Sequence, residues 1–189
     1  GELYIMSKSR PVYTVELAGL KRDLPLFEVK PGLKIAILNI LGDTALVQAS
    51  AKALGERLRE YDFDVIVTAE SKSIPLAHAL SLELDKPYIV LRKAYKFYMG
   101  EALHSETVSI TTGVPQTLYL DEKDRAMLKG KKVLLLDDVV STGSTLEGMR
   151  NLMAQAGAIV AVEAAICTEG DRERWKGIVA LHHLPLFVD

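Results

Sequence analysis

The sequence predicts an α/β protein, an open parallel sheet flanked by helices, and three observations carry the prediction. Three short apolar runs, at 65–67, 88–91 and 133–136, lack the polar–apolar alternation of a half-exposed strand. They read as strands buried on both faces. Each run ends in a polar loop. After the first and third loops come apolar residues at helical spacing, such as Leu146, Met149, Leu152 and Met153. Strands alternating with helices imply right-handed crossovers, which gather the strand-end loops on one edge of the sheet.

The 189 residues suit one domain with a substantial core, taken as residues 1–189. The chain is 49% hydrophobic and 25% charged, an ordinary globular balance. A net charge of −2 argues against a general nucleic-acid surface. No apolar run is long enough to cross a bilayer, and no signal-peptide pattern is evident, so no membrane partner is expected. The one cysteine, Cys167, lies in an apolar run and reads as a core residue. A reducing, cytoplasmic setting fits it.

Residues 13–38 are strand-like and broken by Pro25 and Pro31. Within them, residues 20–25 carry Lys21, Arg22, Asp23 and Pro25, which make a poor central strand and suggest a peripheral flap. A helix opens at Asp43 or Thr44 as its cap, with Leu46, Ala49, Ala53, Leu54 and Leu58 along one face. The strand 64–68 ends in Ala69-Glu70-Ser71-Lys72-Ser73, and Ile74-Pro75 starts the next helix. That loop carries hydroxyls, a Lys and free N–H groups, all suited to an anion. The strand 87–91 runs into Arg92-Lys93-Ala94-Tyr95-Lys96, three cations at a strand end that suit an anion. Residues 107–112 and 116–120 are β-prone and read as a mobile two-stranded flap, which admits substrate and then excludes water. After the central helix, residues 158–167 form another buried strand, which Glu169-Gly170-Asp171 breaks. Trp175 anchors the segment that follows. His182 and His183 have no partner at metal-ligand spacing and read as surface residues; His78 reads as structural.

The most informative stretch is Val133-Leu134-Leu135-Leu136-Asp137-Asp138-Val139-Val140-Ser141-Thr142-Gly143-Ser144-Thr145. It combines a buried strand, an acidic pair, a small-residue loop and a helix start. At the carboxyl end of a strand, such a corner is where open α/β sheets bind ligands. Bare N–H groups at a helix N-terminus, hydroxyls and a Gly suit a phosphate. The acidic pair suits hydroxyls, a cation or a developing positive charge. A ribose 5-phosphate meets both demands. An ordinary strand–turn–helix corner has no use for a buried acidic pair, which is costly. No Lys follows the turn glycine, so this is not a Walker A loop.

These thirteen residues closely resemble the phosphoribosyl pyrophosphate motif of type I phosphoribosyltransferases, and the resemblance runs from about residue 43 to residue 168. It implies the fold of that family, with a core at about 43–181 and a small hood made of about 10–40 and the C-terminal strands. It implies a 5-phosphate seat at Val140, Ser141, Thr142, Gly143, Ser144 and Thr145. A pyrophosphate site follows at Glu70, Ser71, Lys72, Ser73, Arg92, Lys93 and Lys96, with a non-proline cis peptide at Glu70–Ser71. Asp137 and Asp138 become the catalytic pair, and Mg²⁺ arrives with the substrate, with those two carboxylates as candidate ligands. The partners implied are phosphoribosyl pyrophosphate, a nucleobase and a second copy of the chain. Residues 20–24 resemble a hood segment of adenine phosphoribosyltransferases, which implies base contacts from Leu20, Arg22, Asp23 and Leu24 and adenine as acceptor. Hypoxanthine, guanine, xanthine and orotate stay open. Those enzymes carry a flap Glu that assists the base; residues 109–112 occupy that region here, with Glu106 nearby. Relatives that sense phosphoribosyl pyrophosphate and regulate transcription are the alternative, though the first 40 or so residues lack a helix-turn-helix pattern.

Overall fold

The computed structural model describes residues 10–108 and 113–189. The flap-tip residues Ser109, Ile110, Thr111 and Thr112 lie outside that set. In chain order the elements are β1 (Val12–Leu17), β2 (Leu20–Lys30), β3 (Leu33–Ala36), α1 (Thr44–Leu58), β4 (Val65–Ala69), α2 (Ile74–Leu84) and β5 (Tyr88–Leu91). A 3₁₀ turn (Phe97–Met99) leads to β6 (Leu103–Val108), β7 (Pro115–Leu120), α3 (Glu122–Leu128) and β8 (Lys132–Val140). The chain continues through α4 (Ser144–Ala156), β9 (Ile159–Glu169), β10 (Val179–Leu184) and β11 (Phe187–Val188).

Five strands form the parallel sheet, in the order β10-β9-β8-β4-β5. The central strand β8 shows why the apolar runs do not alternate. Leu134 and Leu136 face one core, with α1, α2 and the hood, while Val133 and Leu135 face the other, with α4, α3 and the flap. All four are fully buried. Because β4 and β8 run in register, from Val65 opposite Val133 to Thr68 opposite Leu136, their carboxyl ends open side by side. The Thr68 hydroxyl donates to Leu136 O at 2.7 Å and fastens the two strands just below that edge.

The helices start where their local chemistry directs. Asp43 caps α1 by accepting from Leu46 N at 3.2 Å. Pro75 lies in the first turn of α2, where no N–H is required. Gly143 precedes α4 at φ +85°.

The hood is a four-stranded sheet in the order β1-β2-β3-β11. Two expectations change here. Residues 20–25 are not a peripheral flap but the first half of the long strand β2, between β1 and β3. Pro25 is tolerated because it marks a handover: residues up to Pro25 pair with β1, and those from Leu26 pair with β3. The alternating pattern buries Leu24 in the core and leaves Lys21 and Asp23 exposed. Of the C-terminal strands, only β11 joins the hood, while β10 is the edge of the parallel sheet, pairing with β9. Ala18 and Gly19, both at positive φ, make the tight turn from β1 to β2.

The flap is the antiparallel pair β6–β7. Ser105, Thr107, Gln116 and Leu118 share its inner face. Thr107 and Leu118 pack against Gly148 of α4. Among the described residues, no helix is long and apolar enough to cross a membrane.

Candidate functional site

The acidic pair belongs to β8 itself, whose ladder with β9 continues to Val140 opposite Thr168. The strand therefore fixes both carboxylates relative to β9, just beyond the point where its pairing with β4 ends. Across the gap between the strand ends, the buried hydroxyl of Ser73 sits between them. It lies 3.0 Å from Asp137 Oδ1 and 3.3 Å from Asp138 Oδ1, and it accepts from Asp138 N at 3.1 Å. Asp137 Oδ1 also accepts from Asp138 N at 2.8 Å. Burial pushes the Asp137 carboxyl well above the usual carboxylate range, and the neighbouring Asp138 adds to the shift. Among the described residues, no Lys or Arg side chain pairs with either acid.

The pair floors a cleft of about 250 Å³. Residues 69–73 form one wall, with the peptide Glu70–Ser71 in the cis form. Lys93 reaches the cleft from the end of β5, and Gln116 and Leu118 reach it from β7. A smaller pocket of about 130 Å³ adjoins it, sharing Asp137, Val139 and Thr145 and lined further by Val140, Ser141, Thr142 and Gly143. In this second pocket the Thr142 hydroxyl lies 3.1 Å from Ser144 Oγ and accepts from Ser144 N at 3.3 Å. The two anion-suited loops thus open on opposite sides of one acidic pair.

Not every expected site residue lies in the cleft. Glu70 does line it, but its carboxylate is engaged by its own neighbours: it accepts from Arg92 Nε at 3.2 Å and from Lys93 N at 2.6 Å. Arg92 is further tied to the flap through backbone bonds with Tyr119. Lys96 is exposed at the start of the 3₁₀ turn and does not line the cleft. Lys72 and Lys93 are the cations that do.

The hood segment stands apart. Arg22 makes a two-pronged bond to Asp43, at 2.7 and 3.1 Å, which ties β2 to the start of α1. Asp23 accepts from Thr14 Oγ1 at 2.6 Å, Leu24 is buried, and Leu20 lines a separate cavity between α1 and α2. None of these four side chains lines the cleft. Glu106 is exposed, on the opposite flap face from Ser105 and Thr107.

Sequence reasoning missed the residues that support the loop of the smaller pocket from behind. Glu169 does not break β9 but ends it, buried, and accepts from Ser141 Oγ at 2.7 Å. Arg174 donates to Thr142 O at 2.7 Å while its guanidinium stacks on Trp175, 4.3 Å from the ring centroid. Trp175 packs beneath Gly143. A third acid at a strand end, Glu169 after Glu70 and Asp137, was the signal available. The two histidines are not simply exposed either. His182 meets Tyr13 OH at 3.3 Å, and His183 bonds Thr168 Oγ1 and Gly170 O, each at 2.8 Å.

Mg²⁺ suits this donor set. It prefers oxygen ligands, keeps several waters, and is held by one or two carboxylates together with substrate phosphates. Two adjacent carboxylates with no cationic partner, facing a phosphate-suited loop, match that habit. Asp137 and Asp138 are the residues that would hold it together with the substrate's phosphates; among the described residues no cluster of three or more acids, His or Cys offers a site made by the protein alone.

The sequence model of the phosphoribosyl transferase domain matches residues 37–180, a span that contains both loops, the acidic pair, the flap and β9. The chain belongs to that family. Among its relatives, the purine biosynthesis transcriptional repressor PurR of Bacillus subtilis is 32% identical over 147 residues, covering 77% of this chain and 51% of the repressor. The hypoxanthine/guanine phosphoribosyltransferase of Methanococcus maripaludis is 38% identical over 116 residues, covering 61% of this chain and 58% of that enzyme. The adenine phosphoribosyltransferase of Thermosipho africanus is 31% identical over 147 residues, covering 77% of this chain and 83% of that enzyme. The chain thus spans between 51% and 58% of the length of the first two. Solved structures share the fold. The adenine phosphoribosyltransferase of Thermoanaerobacter pseudethanolicus superposes with a TM-score of 0.70 at 22% identity, over 85% of this chain and 95% of that one. The Giardia lamblia enzyme, complexed with 9-deazaadenine, gives 0.71 at 21% identity, over 85% of this chain and 93% of that one.

Two consequences can be measured. A methyl group on Gly143 would lie 2.5 Å from Trp175 Cη2, at a backbone angle that L-residues rarely adopt. Gly143→Ala should therefore cost at least 1–2 kcal/mol, roughly the penalty of the left-handed conformation alone; a denaturation midpoint equal to wild type would contradict this packing. The second concerns pH. Asp137 holds its proton more tightly folded than unfolded. As pH rises from the ordinary carboxylate value of 3.8, the unfolded chain releases that proton first, so the folded state loses stability over the window above 3.8. Asp137→Asn should remove that loss. Urea denaturation across pH should show the variant gaining on wild type as pH rises from 4 to 7, and parallel curves would refute the burial of this charge.

Proposed function

We propose that this chain binds phosphoribosyl pyrophosphate and transfers its ribose 5-phosphate to a purine base, releasing pyrophosphate. The carrying observation is the convergence of two anion-suited loops on one acidic pair: residues 69–73 on one side and 141–145 on the other, with Asp137 lining both pockets. Residues 141–145 take the 5-phosphate on backbone N–H groups and the hydroxyls of Thr142, Ser144 and Thr145. Asp137 and Asp138 face the ribose hydroxyls and stabilise the positive charge that grows on the sugar as the pyrophosphate departs. Lys72, Lys93, Ser71 and the backbone of 69–73 receive the pyrophosphate. Bound Mg²⁺ supplies charge neutralisation for that leaving group. Ser73 keeps both carboxylates oriented, so its role is to hold the pair. The chemistry is mainly positioning and electrostatics.

For the acceptor, adenine is the reading this chain supports. The match to the Thermosipho adenine enzyme spans 147 residues, against 116 for the Methanococcus hypoxanthine/guanine enzyme. With Arg22 and Asp23 engaged elsewhere and Leu24 buried, a base contact from these three residues would come from their backbone.

A second reading is a phosphoribosyl-pyrophosphate-sensing regulator. Two observations favour it: the repressor among the relatives, and a flap whose acid, Glu106, points away from the cleft while the neutral Gln116 faces it.

One assay separates these readings. Protein incubated with labelled phosphoribosyl pyrophosphate, Mg²⁺ and a panel of purines should release pyrophosphate fastest with adenine. Asp138→Asn should lower that rate on the order of a hundredfold, the usual loss for one electrostatic contact of this kind. Preference for an oxopurine would overturn the acceptor, and tight donor binding without turnover on any base would favour the regulator.

A further inference from the structure

The smaller pocket rests on a support that its own loop does not contain. Residues 141–143 have no regular structure, lying between the end of β8 and the start of α4. Such a segment presents its N–H groups to a phosphate only if something holds it in shape. Three contacts from outside the loop do so, and all come from residues 169–175, at the end of β9 and just beyond it. Ser141 Oγ donates to Glu169 Oε1 at 2.7 Å. Arg174 donates to Thr142 O at 2.7 Å. Trp175 packs under Gly143 and returns its indole N–H to the backbone carbonyl of Glu169 at 3.0 Å. The arrangement is closed: the residue that anchors the first loop position is itself hydrogen-bonded by the residue that supports the third.

Glu169 is the unusual member. Its residue is 4% exposed, and it lines neither pocket of the cleft. A buried carboxylate is expensive unless its bonds are good. Here its bond partner is a hydroxyl of the phosphate loop, which sets the loop's first residue relative to β9. Burial raises the carboxyl above the usual range, against the pull of the Ser141 bond.

Resting on the reading of residues 141–145 as a phosphate seat, we propose that Glu169 is the positioning residue of that seat, holding the loop through the Ser141 hydroxyl without touching the ligand. An amide oxygen at the same place can accept the same bond, so Glu169→Gln should preserve the function while Glu169→Ala should not. Removing one anchoring bond of this type should weaken the seat about tenfold. The pyrophosphate wall, residues 69–73, is held by other contacts and should be indifferent.

Calorimetric titration with ribose 5-phosphate and, separately, with inorganic pyrophosphate and Mg²⁺ tests this on wild type, Glu169→Ala, Glu169→Gln and Ser141→Ala. Glu169→Ala and Ser141→Ala should each bind ribose 5-phosphate about tenfold more weakly, with pyrophosphate affinity within twofold of wild type. Their double variant should be no worse than either single one. Glu169→Gln should stay within about threefold of wild type for both ligands and keeps the test open should Glu169→Ala fail to fold. Unchanged ribose 5-phosphate affinity in Glu169→Ala, equal losses for both ligands, or no rescue by Gln would overturn the proposal. Failure of the wild type itself to bind ribose 5-phosphate would instead overturn the phosphate seat.

Discussion

Everything at the cleft depends on one hydroxyl, that of Ser73, lodged between two carboxylates it does not neutralise. Two acids at adjacent positions of a strand repel each other and resist burial. Here the strand gives them no choice of position, because β8 stays paired with β9 as far as Val140 after its ladder with β4 has ended at Leu136. Ser73 and the backbone N–H of Asp138 supply the hydrogen bonds that make the arrangement tolerable. The remaining electrostatic strain has no cationic side chain to relieve it among the described residues. Under the proposed function, that is where positive charge from outside would be received, whether a metal ion or a sugar losing its leaving group.

That constraint orders the surrounding parts. The loop that carries Ser73 is also the loop suited to pyrophosphate, so clasping the acids and shaping the anion wall are one structural act. The acidic pair is followed directly by the proposed phosphate loop, so the second wall is set by the same strand. The flap contributes Gln116 and Leu118 from its inner face and is joined to the base of the cleft through Arg92, which bonds both Glu70 and Tyr119. Arg92 and Glu70 therefore link the cleft wall to the flap, and the cations that line the cleft are Lys72 and Lys93.

The parallel sheet and the acidic corner were legible in the sequence because their signals are local. Val133 to Leu136 must be apolar without interruption, since successive side chains enter two different cores. The order of Asp137 to Thr145 encodes a strand end, an acid pair and a helix start with no help from elsewhere. The hood was less legible. Pro25 and the charges of residues 21–23 argue against a strand, and only the change of partner from β1 to β3 explains their tolerance. The roles of Arg22 and Glu70 were hidden for the same reason: a charged side chain advertises its chemistry but not its partner, and Asp43 and Arg92 are both 20 or so residues away. Glu169, Arg174 and Trp175 lie still further from the loop they support, and no periodicity joins them to it.

The central claim is that two loops and one acidic pair form a single site with two halves. Competition binding tests it directly. With Mg²⁺ present, phosphoribosyl pyrophosphate should displace both ribose 5-phosphate and pyrophosphate, while those two fragments should occupy the protein together. Fragments that exclude each other from one position, or a donor that displaces only one of them, would contradict the account.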